Sequence, residues 1–394
     1  MIDIEILNRL NAPAEEARIA NLKEVLKSAQ FPPMVPQYVN NHIHTTYSFS
    51  PYSPTAAVFA ARMEGLCTAG IVDHDAINGA PEFLEAGRLV GIPTTIGMEC
   101  RASMAGTRLE NRRTNNPDQA GISYMTLQGI PHDQFSRLEA FFAPYRERRN
   151  VRNRKMIARI NAILKPYGIS LDFERDVLPL SEFSHGGSVT ERHLMYALAL
   201  SLIDRFGKGQ ALLEILCKLG IVPSARQKEQ LLDTAYPFYA YDLLGILKSA
   251  YVPQIFVPAT DECPAVQDLV RLADGTGAVL CYAYLGDVED SVTGDKKAQK
   301  FEDDYLEEVF LFMRECGICA VTYMPTRNTP QQLARLRGLC ERYHIFQISG
   351  EDINSPRQSF VIKAMENPAF SNLIDATWRL IDHENGRRKI FQTT

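Results

Sequence analysis

The chain has 394 residues, 45% of them apolar, a size that suits one enlarged domain or a barrel with an insertion better than a string of small modules. Its 42 basic and 47 acidic residues leave a formal net charge of -5, so composition offers no basic face for nucleic acid. No stretch reaches the roughly 18 apolar residues of a membrane span, and the start Met1-Ile-Asp-Ile-Glu lacks a signal peptide's basic end and apolar core, so a soluble cytoplasmic protein is expected.

In chain order, residues 1–30 carry a helical pattern that Phe31-Pro-Pro-Met-Val-Pro36 breaks, which makes 1–36 an N-terminal helical extension. Apolar, strand-like runs follow at 38–44, 69–73, 92–99 and 122–128, with Ser53-Pro-Thr55 opening a helix over 56–65. Residues 37–131 therefore read as the first part of a sheet or barrel. From 132 to 250 the pattern turns helical (133–164, 190–206, 208–219, 224–235 and 239–250), as expected of an inserted helical subdomain. Its run Tyr145-Arg-Glu-Arg-Arg-Asn-Val-Arg-Asn-Arg-Lys155 is basic; most such runs are solvated faces, and one turned inward would suit an anion. Strand-like runs return at 277–284, 317–323 and 345–350, within a second part spanning 251–394. The alternation argues for an α/β chain with a parallel sheet or barrel. Eight cysteines lie scattered, mostly in apolar segments, and the pair Cys316/Cys319 has no second ligand pair nearby, so reduced, buried thiols are expected.

Polar residues cluster at the ends of these runs. The first delivers His42 and His44, which at i and i+2 of an extended segment share a face. The second delivers Asp73, His74 and Asp75, the third Glu99, and the last leads into Glu351 and Asp352. Singly, His74 reads as a buried histidine, Glu99 as a partner of Arg101, and Asp352 as a turn cap. In a parallel αβ barrel, however, the C-terminal strand ends meet at one mouth, and this nitrogen and carboxylate set there suits Zn, Mn or Fe.

The segments His42-Ile-His-Thr-Thr-Tyr-Ser48, Ile71-Val-Asp-His-Asp75, Ile96-Gly-Met-Glu-Cys100 and Ser349-Gly-Glu-Asp-Ile-Asn354 resemble, in order, the motifs of the PHP (polymerase and histidinol phosphatase) family. Ser188-Val-Thr-Glu-Arg-His-Leu-Met-Tyr-Ala-Leu198 resembles the segment that brings a further histidine, here His193. The resemblance spans about 38 to 357 and implies a distorted seven-stranded TIM-like barrel, up to three divalent metals at its mouth, and phosphate-ester hydrolysis. The chain departs from the family after the HxH pair (Phe49, Ser50, Pro51), within Tyr124-Met-Thr-Leu-Gln-Gly129, at Ala283-Tyr284-Leu285, and at Asp352-Ile-Asn354. One firmly held metal, or two, is expected in place of three.

By this resemblance His42, His44, Glu99 and Asp352 hold the metal. His74 is a second ion's ligand or a general acid/base, and Asp73 orients an imidazole. His193 is a ligand or leaving-group acid, with a helix-cap role as its bland alternative. Arg327, Arg357 and Arg192 are the guanidinium candidates for a phosphate. Tyr284 would donate a hydrogen bond to a substrate oxygen, with Asn354 beside it. The expected reaction is metal-dependent hydrolysis of a small phosphate ester, a nucleotide or sugar phosphate, with no nucleic-acid or membrane partner. Two alternatives stand: amidohydrolase-like C–N cleavage, though none of these strand ends carries the usual lysine, and a metal- or ligand-binding protein with weakened catalysis.

Overall fold

A computed structural model describes residues 3–116, 118–287, 302–387 and 390. All seven strand-like runs form strands: β1 Val35–Ile43, β2 Leu66–His74, β3 Thr94–Ser103, β4 Ile122–Gln128, β5 Val279–Ala283, β6 Ala320–Tyr323 and β7 Phe346–Ser349. They make one sheet in chain order. Beyond β7 the chain returns to β1, where His44 N–H donates to Ile353 O (3.0 Å) and Ile353 N–H to His42 O (3.1 Å), so the sheet nearly closes into a barrel.

One strand departs from the parallel arrangement. β4 runs antiparallel to both β3 and β5, while the remaining neighbours are parallel. The physical reason lies in the connection 104–121, whose described residues carry turns but no helix. Parallel neighbours need a crossover, usually helical, whereas a short connection returns the chain antiparallel. The N-terminal end of β4 therefore reaches the mouth, with Tyr124 opposite Arg101.

Thirteen α-helices are described: α1 Ile4–Leu10, α2 Glu15–Leu26, α3 Pro54–Met63, α4 Ala80–Val90, α5 Phe135–Leu164, α6 Glu191–Phe206, α7 Gln210–Lys218, α8 Ala225–Leu232, α9 Tyr239–Ile255, α10 Val266–Thr276, α11 Leu306–Cys316, α12 Pro330–Tyr343 and α13 Ser371–Glu384. Their starts are chemically marked. Ser53 caps α3 by accepting from Ala56 N–H, with Pro54 in the first turn, and Thr329 with Gln332 forms a capping box before Pro330 on α12. The N-terminal helices are tied to the barrel by Arg18, which grips Glu82 of α4 through two bonds of 2.9 and 2.6 Å, both side chains buried. At the end opposite the mouth, Leu380 of α13 joins Val279, Cys281, Ala320 and Ile348 to fill the barrel floor.

Helices α5 to α9 gather their own apolar cluster, including Met156, Ile160, Leu194, Leu198, Leu216 and Leu247. The basic run proves to be two-faced. Arg148 and Arg154 are exposed, whereas Arg146, Arg149 and Arg152, at helical spacing, are buried. These three do not face solvent, and they are not held in reserve for an anion. Arg149 pairs with Asp75 (2.5 Å) and Glu191 (3.6 Å), and Arg152 pairs with Glu191 (2.6 Å) and Glu262 (3.4 Å). Arg146 pairs with Glu139 of the same helix. Buried charge demands such pairing, and the acids that supply it to Arg149 and Arg152 are distant in sequence. No helix among the described residues is long and apolar enough to cross a membrane.

Candidate metal centre

Strand β1 ends by presenting His42 and the residue after it presents His44, with their Nε2 atoms 3.2 Å apart. His44 Nε2 also lies 3.1 Å from Asp352 Oδ1, carried on the segment that follows β7. In β2 and β3, His74 and Glu99 are paired in register, and His74 Nδ1 lies 3.1 Å from Glu99 Oε2. Two sets of possible ligand atoms result, His42/His44/Asp352 and His44/His74/Glu99, each with its atoms within 4.8 Å of one another. They share His44.

These spacings fit a divalent ion. Two ligands about 2.1 Å from one ion stand about 3.0 Å apart at octahedral angles and about 3.4 Å at tetrahedral ones. Glu99 sits nearer His74 than the β1 pair, since its Oε2 is 3.9 Å from His42 and 4.0 Å from His44. The expected grouping of Glu99 with His42, His44 and Asp352 is thus looser than its grouping with His74.

Asp73 acts on the β1 turn. Its carboxylate accepts from Thr45 N–H (2.7 Å), Thr45 Oγ1 (2.6 Å) and Ser48 Oγ (2.5 Å). Ser48 Oγ lies 3.1 Å from His44 Nδ1. Because the single hydroxyl proton of Ser48 goes to Asp73, its oxygen accepts from His44 Nδ1–H, and the lone pair of His44 is left on Nε2. Asp73 therefore sets an imidazole's tautomer through Ser48.

The electrostatics follow from burial and crowding. Burial, then His44, brings His42 down to about 4. Burial, with His44 and Arg149 adding to it, holds His74 neutral, well below the usual histidine range. His44 goes the other way: burial opposes its charge, yet Asp352 and Glu99 outweigh burial and raise it.

A cavity of about 200 Å³ opens beside these ligands, lined by His42, His74, Glu99, Asp352, Asn354, Arg192 and Arg327 among others. Asn354 Nδ2 donates to Asp352 Oδ1 (2.7 Å), which holds the carboxylate in place. Three expected site residues are otherwise engaged. Arg357 makes two 2.7 Å bonds to Asp242 and stacks on Tyr236, outside the lining of this cavity. Tyr284 lines the cavity, but its hydroxyl donates to Asp303 Oδ1 (2.6 Å), which leaves the oxygen as an acceptor only. His193 spends its Nδ1 lone pair on Thr190 N–H (3.0 Å) at the start of α6 and packs edge-on against Phe49. Burial, followed by Arg149, brings it down to about 3, and it belongs to neither ligand set.

The cavity is also lined by Tyr124, Asn115, Lys248 and Gln358, which were not expected there. Tyr124 depended on the reversal of β4. Asn115 bridges β4 and β5 by donating to Tyr124 O (2.8 Å) and Ala283 O (2.6 Å), a role for which its turn carries no sequence mark.

No family model matches the chain. It is 34% identical to the error-prone DNA polymerases of Mycobacterium bovis and Mycobacterium tuberculosis over 96 residues, which is 24% of this chain and 8% of the polymerases. The chain thus matches only a small part of these curated relatives' length. Among solved structures it is similar to a candidate metal-dependent phosphoesterase from Bifidobacterium adolescentis (TM-score 0.54, 17% identity, 87% of this chain and 98% of that one). It is also similar to an amidohydrolase from Chromobacterium violaceum with bound sulfate and no metal (TM-score 0.54, 18% identity, 86% and 96%). At these identities the likeness shows the fold, and that fold is the TIM-like barrel with helical additions that the motifs imply.

Proposed function

We propose that the chain is a divalent-metal-dependent hydrolase of small phosphate esters. One observation carries this reading. With its Nδ1 held by Ser48, His44 turns Nε2 toward Asp352 Oδ1 at 3.1 Å and His42 Nε2 at 3.2 Å, a cluster in which a divalent cation would replace the proton that Asp352 favours on His44. His42, His44 and Asp352 would hold one ion, and His74 with Glu99 would contribute to a second. Zn, Mn or Fe suits these donors.

Such an ion supplies charge neutralisation at phosphoryl oxygens and acidifies water. The chain's own residues do the rest. Arg192 and Arg327 line the same cavity as the ligands, where guanidinium groups would orient the phosphate. His74, kept neutral and turned to Glu99, fits a ligand better than a general acid. A nucleotide or sugar phosphate suits a cavity of this size. All eight cysteines are free, which supports a reducing, cytoplasmic setting.

The amidohydrolase name of that neighbour keeps C–N hydrolysis as a second reading. Elemental analysis and a release screen with Mn, Zn and Fe decide among these readings, using phosphomonoesters, nucleotides, oligonucleotides and amides. Phosphate release that needs metal and is lost in Asp352→Asn is expected. Release of ammonia or amine alone would select the second reading. Metal bound without turnover of any substrate would leave a binding protein, and no affinity for metal would overturn the proposal.

A further inference from the structure

Among the described residues, three non-glycine positions have positive φ: Phe49 (154°), Asp75 (52°) and His344 (55°). His344 ends α12 as an ordinary left-handed cap. The other two lie where the ligand-bearing turns end. Asp75 directly follows His74, and Phe49 directly follows Ser48, the residue that holds His44. Such backbone is costly, more so for Phe than for Asp, and persists only where its surroundings over-determine it.

Both positions are gripped by the same part of the chain, the helical stretch between β4 and β5. Asp75 is held twice from α5, as Arg149 Nη1 meets its Oδ2 at 2.5 Å and Arg146 Nη1 donates to its carbonyl at 2.9 Å. Phe49, 6% exposed, sits among His193 and Tyr196 of α6 and Tyr241 of α9, with ring centroids 4.9, 5.6 and 5.4 Å away. Ser188 N–H, just ahead of α6, adds a 2.7 Å bond to Tyr47 O in the same turn.

We propose that this helical stretch is a positioning scaffold for the metal centre, holding two strained turns so that His44 and His74 converge. The inference rests on the metal reading above. In it Phe49 and Asp75 are positioning residues, and the buried face of α5 and the aromatic cage serve geometry at the barrel mouth as well as cohesion of the helices. It also gives Phe49 a purpose at a place where the resembling family carries a further ligand.

The test is titration with Co(II) alone, read by its visible absorption, on wild type and variants whose folding is checked by circular dichroism. Phe49→Leu thins the cage, and Asp75→Gly relieves the backbone strain while removing the Arg149 contact. Both are expected to bind Co(II) about tenfold or more weakly than wild type. Asp75→Asn, which tolerates the left-handed backbone and still accepts from Arg149, should retain wild-type binding. Leu216→Ala, a cavity in the same helical cluster away from both turns, should lower the melting temperature and leave Co(II) affinity intact.

Unchanged binding in folded Phe49→Leu and Asp75→Gly would overturn the proposal. So would a loss in Leu216→Ala as large as theirs. Should either turn variant fail to fold, Tyr241→Leu thins the cage from the helix side; weaker Co(II) binding supports the scaffold and wild-type binding overturns it. Wild-type protein that binds no Co(II) would overturn the metal reading itself, a result separate from the variant comparison.

Discussion

The ring of His44 is fixed by Ser48: its Nδ1 stands 3.1 Å from a hydroxyl whose own proton is committed to Asp73. This contact decides which nitrogen of His44 is available to an ion. Ser48→Ala removes it while leaving Thr45 to hold Asp73 with its two bonds. Metal affinity is expected to fall about 10–100-fold, as for outer-shell partners of metal-bound histidines. Competition with a chelator measures it. Wild-type affinity in Ser48→Ala would show that His44 needs no tautomer control.

Tyr284 stands where the resembling family places a histidine, yet its hydroxyl is bound to Asp303. Asp303 also accepts at Oδ2 from Gln332 Nε2 and Asp287 N–H, so it keeps partners when the phenol is lost. Tyr284→Phe should therefore cost about 1 kcal/mol of stability, the net worth of a typical hydrogen bond. Metal content and phosphate release should not change. A fall in turnover at constant metal content would return Tyr284 to the chemistry.

The contrast between these residues shows what the sequence could disclose. His42, His44, His74, Glu99 and Asp352 were legible because strand periodicity places each at the end of a run, and barrel closure brings such ends together. Arg357 and His193 carried the right chemistry for the site but were claimed by Asp242 and Thr190, and a linear reading does not reveal which partner a side chain meets first. Tyr124 was hidden by the direction of β4, which depends on what connects it to β3. The buried face of Arg146, Arg149 and Arg152 had a helical period, and Glu139, the partner of Arg146, lies on the same helix, but Asp75, Glu191 and Glu262, which pair with Arg149 and Arg152, come from distant parts of the chain, beyond any local pattern.

The N-terminal helices depend on one buried pair. Arg18 and Glu82 are almost fully enclosed, at 3% and 0% side-chain exposure, and Glu82 also accepts from Thr55 N–H (3.0 Å) and Oγ1 (2.6 Å). Arg18→Ala strands a carboxylate away from water, which is expected to destabilise the protein by about 3–5 kcal/mol. The paired change Arg18→Met with Glu82→Gln should recover much of that loss, because neither partner then carries an uncompensated charge. Denaturant melts of the three proteins measure this. An Arg18→Ala protein as stable as wild type would mean that the extension contributes nothing to the barrel.

Far from the metal centre, Glu384 predicts a pH dependence of stability. It lies fully buried at the end of α13, where its Oε1 accepts from Ile96 N–H (2.9 Å) and from Thr95 Oγ1, and its Oε2 is 3.6 Å from His132 Nε2. Burial raises its carboxyl to about 7, against the opposing pull of His132, Thr95 and the Ile96 N–H. The folded state thus keeps a proton that the unfolded chain releases near 4.5. Folding takes up a proton between those values, so stability from this group is fully present below pH 4.5 and is lost as pH rises to about 7. A gap of about 2.5 pH units corresponds to a loss of about 3 kcal/mol. Glu384→Gln keeps the acceptor for Thr95 and Ile96 and removes the ionisation. Relative to wild type, the variant should gain stability steadily from pH 5 to pH 7.5, read as a widening difference in melting temperature. Curves that stay parallel across that range would show that Glu384 ionises in the folded protein as it does in the unfolded chain.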